Sequence, residues 1–349
     1  MRVLLTHERF PPDFGGGGEY IVEGTARYLA RRGVDVTVLT TGDPSLRTHE
    51  GIPTIRMPVS RYRMNLAAGR IGELAGDADL IQTFNYHACL PSLAAGRRRH
   101  KPVVLLLLGL FGETWKEMKG PLLGKAFLAW EKFLMRRPFS RFLFLSDYSR
   151  QMGIGFGAPA ERSLVNTYGL DTTYFHPAPE KEACVLFSGK LDVRKGVYDL
   201  LAAAKELQHV KFKILGWGPE ENAMRAAATP NVEFLGFDQG ELRRHALATA
   251  SIFVLPSRAE GLPVALMEAM AAGCAVVCTL PFEYEGARVP VGDRGQLTGA
   301  LSRLWTDRET TRRMGEKNRR LAEAFTWDRY IDLLLNIYDD VLKEQANDR

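Results

Sequence analysis

The stretch Ser257–Cys278 reads SRAEGLPVALMEAMAAGCAVVC, and it indicates the fold class of the whole chain. A helix is predicted to begin after Pro263, to contain Glu268 and to end at Gly273. The run CAVVC that follows has the apolar, β-branched character of a buried strand. A helix that leads directly into a buried strand is typical of α/β proteins with a parallel sheet.

Two carboxylates flank the start of this helix. Glu260 lies on the entering loop, and Glu268 lies slightly over two turns along. The helix start between them offers unpaired N–H groups and the positive end of the helix dipole, which favour phosphate. Carboxylates on either side could bind hydroxyls, which is the layout of a sugar nucleotide. Such spacing also arises by chance, but Glu268 stands in an apolar run where a carboxylate requires a partner.

Length and composition indicate two soluble globular domains. The chain has 349 residues, of which 46% are hydrophobic and 25% charged. We recognise no signal peptide, and the apolar run 103–111 is too short to span a bilayer. The four cysteines are scattered, so free thiols in a cytoplasmic protein are expected, with no disulfide and no zinc site.

Positive charge is concentrated in the first half. Residues 1–172 carry a net charge of +7 and residues 173–349 a net charge of −2. This asymmetry predicts an anionic partner for the first half, and no nucleic-acid-binding motif is recognisable. The basic runs are Arg97–Lys101 and Lys116–Arg141. The second predicts a helix that either lies at a membrane surface or packs on its own sheet.

Strands and helices alternate along the chain, which predicts two Rossmann-like doubly wound α/β domains facing a cleft. We assign 1–173 to a first domain together with the amphipathic helix in 327–349, 174–183 to a linker, and 184–326 to a second domain. The predicted strands are Val3–Thr6, Val34–Thr40, Asp79–Thr83, Pro102–Leu107, Phe142–Leu145, Cys184–Ser188, Phe212–Leu215, Val232–Leu235 and Ile252–Leu255.

Motifs spread over nearly the whole chain resemble the GT-B glycosyltransferases of family 4, a retaining group. PPDFGGGGEYIVEGTARYLARRGVDVTVLT is similar to the family's P-x-x-G-G opening, and TYGLDTTYFHP to its N-G-V-D-x-x-x-F-x-P hinge. FSGKLDVRKG resembles V-G-R-L-x-x-x-K-G, LGWGPE resembles G-D-G-P, and VEFLGF resembles V-x-F-x-G. AEGLPVALMEAM matches the E-x7-E block. Each motif alone is weak, and their order along the chain makes the resemblance specific.

The resemblance implies a set of donor-binding residues for a nucleotide diphosphate sugar. Glu260, Lys195 and Lys190 would be catalytic, with the lysines neutralising the leaving diphosphate. The four-glycine run Gly15–Gly18 would let the backbone approach the donor or the acceptor, although a run of glycines also suits a plain surface loop. The donor-side residues expected are Gly16, Gly17, Lys190, Lys195, Gly236, Phe237, Glu260, Gly261, Leu262, Pro263 and Glu268. No metal and no cofactor is expected.

One position departs from the family pattern. Leu108 stands where the family commonly has a histidine near the sugar. Either catalysis relies on the diphosphate itself, or another acceptor-side residue substitutes for the histidine, or turnover is impaired. The candidates for substitution are His7, His87 and Glu113. For His87, a buried structural histidine is an equally good explanation.

The predicted activity is hexosyl transfer from a nucleotide diphosphate sugar to an acceptor hydroxyl, with retention of configuration. The acceptor would be a carbohydrate, a lipid-linked molecule or a small molecule. Two alternatives remain: a sugar-nucleotide epimerase of the same fold, and a non-catalytic sugar-nucleotide-binding protein, which Leu108 suggests. A cytoplasmic location is expected, peripheral to the membrane if the basic helix is interfacial.

Overall fold

The computed structural model describes residues 1–13, 16–238 and 240–347. Gly15 of the four-glycine run and the last two residues of the segment 327–349 therefore lie outside the described residues. The chain forms two compact units. The first comprises Met1–Leu110, Ala129–Gly169 and Trp327–Arg349, and the second comprises Phe111–Leu128 and Leu170–Thr326.

Each unit is built on one sheet. Within the described residues the first sheet has the strand order β3-β4-β2-β1-β5-β6-β7-β8 and the second β11-β10-β9-β12-β13-β14, and every pairing is parallel except that of β3 with β4. The strands are β1 Arg2–Thr6, β2 Asp35–Thr41, β3 Thr48–His49, β4 Ile52–Met57, β5 Leu80–Phe84, β6 Val103–Leu107, β7 Arg141–Phe144, β8 Ser163–Val165, β9 Glu182–Ser188, β10 Phe212–Leu215, β11 Val232–Gly236, β12 Ala250–Leu255, β13 Ala275–Cys278 and β14 Gly286–Arg288.

Helices connect the parallel strands, as crossover connections require. Short 3-10 turns lie at Arg61–Leu66, Ala160–Arg162 and Val193–Lys195. The α-helices are α1 Gly17–Arg31, α2 Ala68–Leu74, α3 Cys89–Arg99, α4 Thr114–Lys119, α5 Pro121–Met135, α6 Asp147–Gly155, α7 Val197–Glu206, α8 Glu221–Ala227, α9 Glu241–Thr249, α10 Val264–Ala271, α11 Arg294–Thr306, α12 Arg308–Ala322 and α13 Trp327–Asn347.

The central strands of the first sheet are buried on both faces. Every residue of β5 and β6 is buried, because helices cover the sheet on either side. β1 lies between β2 and β5, and it pairs in parallel with both. The chain therefore leaves β1 in one direction and later returns on its other side. Ligands of open α/β sheets bind outside the carboxyl ends of the strands at such a reversal.

The C-terminal helix α13 is part of the first unit. Its first residue, Trp327, stacks on Tyr28 of α1 with ring centroids 5.1 Å apart. A Cβ built on Gly24 would lie 2.1 Å from the Trp327 ring, so α1 is closely packed against that ring. Further along α13, the Tyr338 hydroxyl bonds to the buried Gln82 of β5. The helix thus contributes core side chains to a sheet whose last strand along the chain, β8, ends at Val165.

The segment Phe111–Leu128 belongs to the second compact unit, whereas the sequence analysis assigned all of 1–173 to the first domain. Within it, the Trp115 and Phe127 rings stack with centroids 4.5 Å apart. The difference arises because membership of a unit depends on tertiary contacts that strand periodicity does not report.

The basic helix predicted across Lys116–Arg141 is two helices, α4 and α5. The apolar face predicted for it is only partly buried: Leu134 is fully buried, but Leu122 and Leu123 are 85% and 55% exposed. The alternative of packing on the sheet therefore applies to the end of α5, where Leu134 lies in the core, and not to Leu122 and Leu123. Among the described residues, every helix is too short or too polar to cross a membrane.

The close approach of Gly24 to Trp327 predicts a packing effect on stability. Gly24→Ala would push a methyl group into the indole ring, and overpacking of this kind typically costs about 1–3 kcal/mol. The free energy of unfolding in urea should fall by that amount. Gly69→Ala is the matched control, because a Cβ there meets nothing within 4 Å. Equal stability of the two variants would contradict the packing described.

Candidate functional site

Polar and aromatic residues follow four neighbouring strands of the second sheet at their carboxyl ends. Lys190 follows β9, Trp217 follows β10, Phe237 follows β11 and Glu260 follows β12. These four strands are adjacent in the order β11-β10-β9-β12 and parallel, so the four segments emerge at the same edge of the sheet. This edge is where the doubly wound fold places ligands.

Glu260 is the centre of an ion-pair cluster at this edge. It is 8% exposed and lies on the loop that enters α10. Its Oε1 is 2.9 Å from Arg194 Nη1 and 2.6 Å from Lys195 Nζ. Both cations belong to the 3-10 turn Val193–Lys195, which Asp192 caps by accepting a hydrogen bond from the Lys195 amide. The turn after β9 therefore holds the loop after β12.

The cluster keeps Glu260 ionised. Burial alone would raise the pKa of Glu260, but the charges of Arg194 and Lys195 outweigh it and hold the pKa at about 2. Burial and the nearby Arg194 lower the pKa of the Lys195 ammonium, against the opposing pull of Glu260. The arrangement is a fixed negative charge bordered by two cations, with one more positive than negative charge among the three groups.

Glu268 has the partner that its apolar surroundings require. It is 2% exposed within α10, all of whose residues are buried. The Arg243 guanidinium, from α9, donates a hydrogen bond to Glu268 Oε2. Burial raises the pKa of Glu268 to about 7, although Arg243 opposes the shift. The carboxyl group is therefore partly protonated near neutral pH.

An exposed aromatic pair stands beside Lys190. The rings of Trp217 and Phe237 meet edge to face with centroids 5.8 Å apart, and both side chains are substantially exposed. Lys190 Nζ lies 5.6 Å from the centroid of the Trp217 ring. Gly236 ends β11 with φ at +83°, a conformation that favours glycine and directs the chain into Phe237. Flat exposed rings of this kind can stack on a planar ligand.

The remaining donor-side residues are distributed over both units. Gly261 and Pro263 are buried at the start of α10, Leu262 is half-buried, and Pro263 has no N–H to offer. Gly16 and Gly17 are exposed at the start of α1, in the first unit.

A second polar cluster lies in the first unit, at the reversal between β1 and β5. His7 and Glu8 directly follow β1, and His87 follows β5. His7 Nε2 is 3.8 Å from Glu8 Oε2, and His7 Nδ1 is 2.6 Å from the Arg9 carbonyl oxygen. Glu8 is 9% exposed, and among the described residues no group donates a hydrogen bond to its Oε2. A buried acceptor without a donor is suited to a ligand hydroxyl.

His87 is a neutral imidazole in this cluster. The Asn65 amide nitrogen is 2.9 Å from His87 Nδ1, and because that nitrogen is a donor, Nδ1 accepts and the ring proton lies on Nε2. Burial lowers the pKa of His87, with Glu8 raising it and Arg61 and His7 lowering it further. The structure thus brings His7 and His87 together with Glu8.

Leu108 and Glu113 have partners of their own. The Leu108 amide donates to Asn85 Oδ1 at 2.8 Å, and its side chain packs close to Gly18, where an added Cβ would be 3.0 Å from Leu108 Cδ1. The family's histidine position is therefore filled by an apolar contact with the glycine run. Glu113 is exposed in the second unit and pairs with Lys116.

Four residues of these clusters were missed from the sequence: Arg194, Arg243, Trp217 and Glu8. Arg194 could have been found from the basic doublet that it forms with Lys195 after β9. Glu8 could have been found from its place beside His7 after β1. Arg243 lies in the run ELRRHALAT, which looks like an ordinary solvated helix, so no local signal indicates it.

Solved structures with the same fold cover nearly the whole chain. Sucrose-phosphate synthase from Thermosynechococcus elongatus aligns with a TM-score of 0.82 at 20% identity, over 98% of this chain and 99% of that one. The Anabaena protein HepE, solved in complex with UDP and glucose, aligns with a TM-score of 0.76 at 17% identity, over 99% of both chains. Two doubly wound units of this kind define the GT-B fold class.

Sequence comparisons give the family. The model described as glycosyl transferases group 1 matches residues 182–307, and the glycosyl transferase 4-like domain matches residues 15–169. O-antigen chain mannosyltransferase C of Escherichia coli is 25% identical over 99% of this chain and 100% of its own length. The chain belongs to the group 1 glycosyltransferases of the family 4 type, as its motifs predicted.

The raised pKa of Glu268 predicts a pH dependence of stability. The folded protein holds this proton up to about pH 7, whereas the unfolded chain releases it near the ordinary glutamate pKa of 4.5. Stability contributed at this site is therefore greatest below pH 4.5 and falls as the pH rises towards 7, by on the order of 3 kcal/mol.

The measurement is the free energy of unfolding in urea from pH 4.5 to 8 for the wild type and Glu268→Gln. Subtracting the variant's free energy of unfolding from that of the wild type at each pH removes the contribution of the other titrating groups. This difference should decline with pH and level off above about pH 7. A difference that rises with pH in this window would contradict the assignment.

Proposed function

We propose that this protein transfers a hexose from a nucleotide diphosphate sugar to an acceptor hydroxyl, with retention of anomeric configuration and without a metal ion. The observation that carries the proposal is the buried, ionised Glu260 held between Arg194 and Lys195 at the entry to α10. The relatives' names support the sugar class, because they include a mannosyltransferase and a protein solved with UDP and glucose.

The cations at the carboxyl edge would bind the diphosphate. Lys190, Arg194 and Lys195 are close in sequence after β9, and two of them already face Glu260. Negative charge grows on the diphosphate as its bond to the sugar breaks, so cations fixed there stabilise the transition state more than the ground state. In our proposal these side chains supply the positive charge that a divalent ion supplies elsewhere.

Glu260 would act on the sugar. Its fixed negative charge can stabilise the positive charge that develops on the sugar ring as the leaving group departs. In the transfer, the bond from the anomeric carbon to the diphosphate breaks and a bond from that carbon to the acceptor oxygen forms. The acceptor proton passes to the departing diphosphate. Because the acceptor enters on the face that the diphosphate leaves, the configuration is retained.

Glu268 and the aromatic pair would hold the nucleoside. Trp217 and Phe237 present exposed rings on which a base can stack, beside the cation Lys190. Glu268 would accept hydrogen bonds from the ribose hydroxyls, and Arg243 already orients its carboxylate. The acceptor substrate would bind in the first unit, where Glu8 offers an acceptor atom and the neutral His87 offers its Nε2–H as a donor, in place of the histidine that Leu108 replaces.

Nucleotide binding tests the donor site. We expect one of UDP, GDP, ADP and dTDP to bind selectively in calorimetric titrations, and Glu268→Ala to weaken that binding at least tenfold, since hydrogen bonds to a charged group contribute about 1.5–3 kcal/mol. Glu283→Ala, at an exposed position in the same unit, is the matched control. Absence of binding by all four nucleotides would overturn the proposal.

Turnover tests the chemistry. Glu260→Gln should lower kcat by about 10²–10³-fold, the loss seen when one transition-state contact is removed. Glu8→Gln should instead raise the KM for the acceptor and leave nucleotide affinity unchanged. Turnover should continue in EDTA, and NMR of the product should show the donor's anomeric configuration.

The same assay separates the alternatives. Nucleoside diphosphate released only when acceptor is present supports transfer. Its release without acceptor, together with a change of sugar configuration, would indicate an epimerase. Tight donor binding with no turnover for any acceptor, and full biological activity of Glu260→Ala, would indicate a binding protein.

A further inference from the structure

A basic pocket lies in the first unit at the amino-terminal edge of the sheet, opposite the edge that carries His7 and His87. Its volume is about 440 Å³. Residues just before β6, β7 and β8 form one wall, and the ends of α3 and α13 form the others. The lining residues are Gly96, Arg97, His100, Lys101, Pro102, Ser140, Arg141, Arg162, Val341, Glu344 and Gln345.

The charge of this pocket is strongly positive. Four permanent cations line it, Arg97, Lys101, Arg141 and Arg162, together with His100, and Glu344 is the one acid among the lining residues. The negative end of the α3 dipole accounts for a cation in its last turn. It does not account for Arg141 and Arg162, which come from separate segments at the starts of β7 and β8.

The carboxylate of Glu344 already pairs with part of the positive charge of this pocket. Arg141 is held deep in the wall, with only 12% of its side chain exposed, and it donates two hydrogen bonds to Glu344 of α13. The hydrogen bonds from Arg141 and the charge of Arg162 lower the pKa of Glu344, so it is an anion at neutral pH. Glu344 itself is more than half exposed, so another anion could displace it.

We propose that this pocket binds a phosphate group, with Arg97, Arg141 and Arg162 as the principal ligands and Glu344 as a competing internal anion. Guanidinium groups bind phosphate through paired N–H donors, and three arginines from different segments line this pocket. The phosphate can belong to a soluble phosphate ester or to a lipid head group. The site uses the basic run Arg97–Lys101 and the positive charge of the first half, which the donor site leaves unexplained.

Pyrophosphate is the probe, and the donor site must be silenced because its cations also attract diphosphate. We therefore titrate pyrophosphate into Lys195→Gln. Adding Arg97→Gln and Arg162→Gln should weaken the remaining binding about tenfold or more, as expected for lost charge-assisted hydrogen bonds. Adding Glu344→Gln should tighten it severalfold. Glu309→Gln, the same charge change on the exposed surface of α12, should leave it unchanged.

Vesicles distinguish the two sources of phosphate. Sedimentation with phosphatidylcholine vesicles that contain phosphatidic acid, abolished by the same arginine substitutions, would assign the site to a lipid head group even if pyrophosphate binds weakly. Failure of both probes, or binding that is indifferent to Arg97, Arg162 and Glu344, would overturn the proposal. Nucleotide affinity of Arg97→Gln/Arg162→Gln with Lys195 intact reports the donor site separately.

Discussion

The burial of two carboxylates, one on the loop that enters α10 and one within the helix, is the constraint on which the second unit's site depends. An ionised carboxylate in apolar surroundings is stable only if cations compensate it. Arg194 and Lys195 do so for Glu260, whereas Arg243 does so only in part for Glu268, whose pKa stays raised to about 7. Each ion pair joins α10 or its entry loop to a different part of the unit. The positions of the turn after β9 and of α9 relative to α10 are thus fixed by electrostatics as well as by packing.

The alternation of strands and helices was predictable because buried parallel strands are short, apolar and β-branched. The central strands β1, β5, β6, β10 and β12 were predicted to within two residues at each end. The edge strands β3, β8 and β14 are two or three residues long and give no periodic signal. β4 was missed too, since its sequence IPTIRM alternates buried and exposed residues and contains a proline.

Within the site, residues that interrupt an apolar pattern were predictable, and residues that look like ordinary surface were not. Glu268 was identifiable because it stands alone in a buried helix. Its partner Arg243 lies in a helix rich in charged residues, where one more arginine is unremarkable to any local pattern. Trp217 and Glu8 can be recognised as site residues only once it is known that they follow β10 and β1 at the carboxyl edges of the two sheets. The pairing of residues distant in sequence is a property of the sheet order, which local periodicity does not encode.

The contribution of α13 to the first unit has a consequence for biosynthesis. The second unit is assembled from segments that all precede Trp327, so every part of it is synthesised before α13. Tyr28, Gln82 and Arg141 belong to earlier segments of the first unit, yet their partners lie on α13, which is translated after the whole of the second unit. Domains generally fold in the order of their synthesis. Here the unit that begins first in the chain can be completed only after the other unit has been synthesised. The synthesis of the first unit therefore begins before that of the second unit and ends after it.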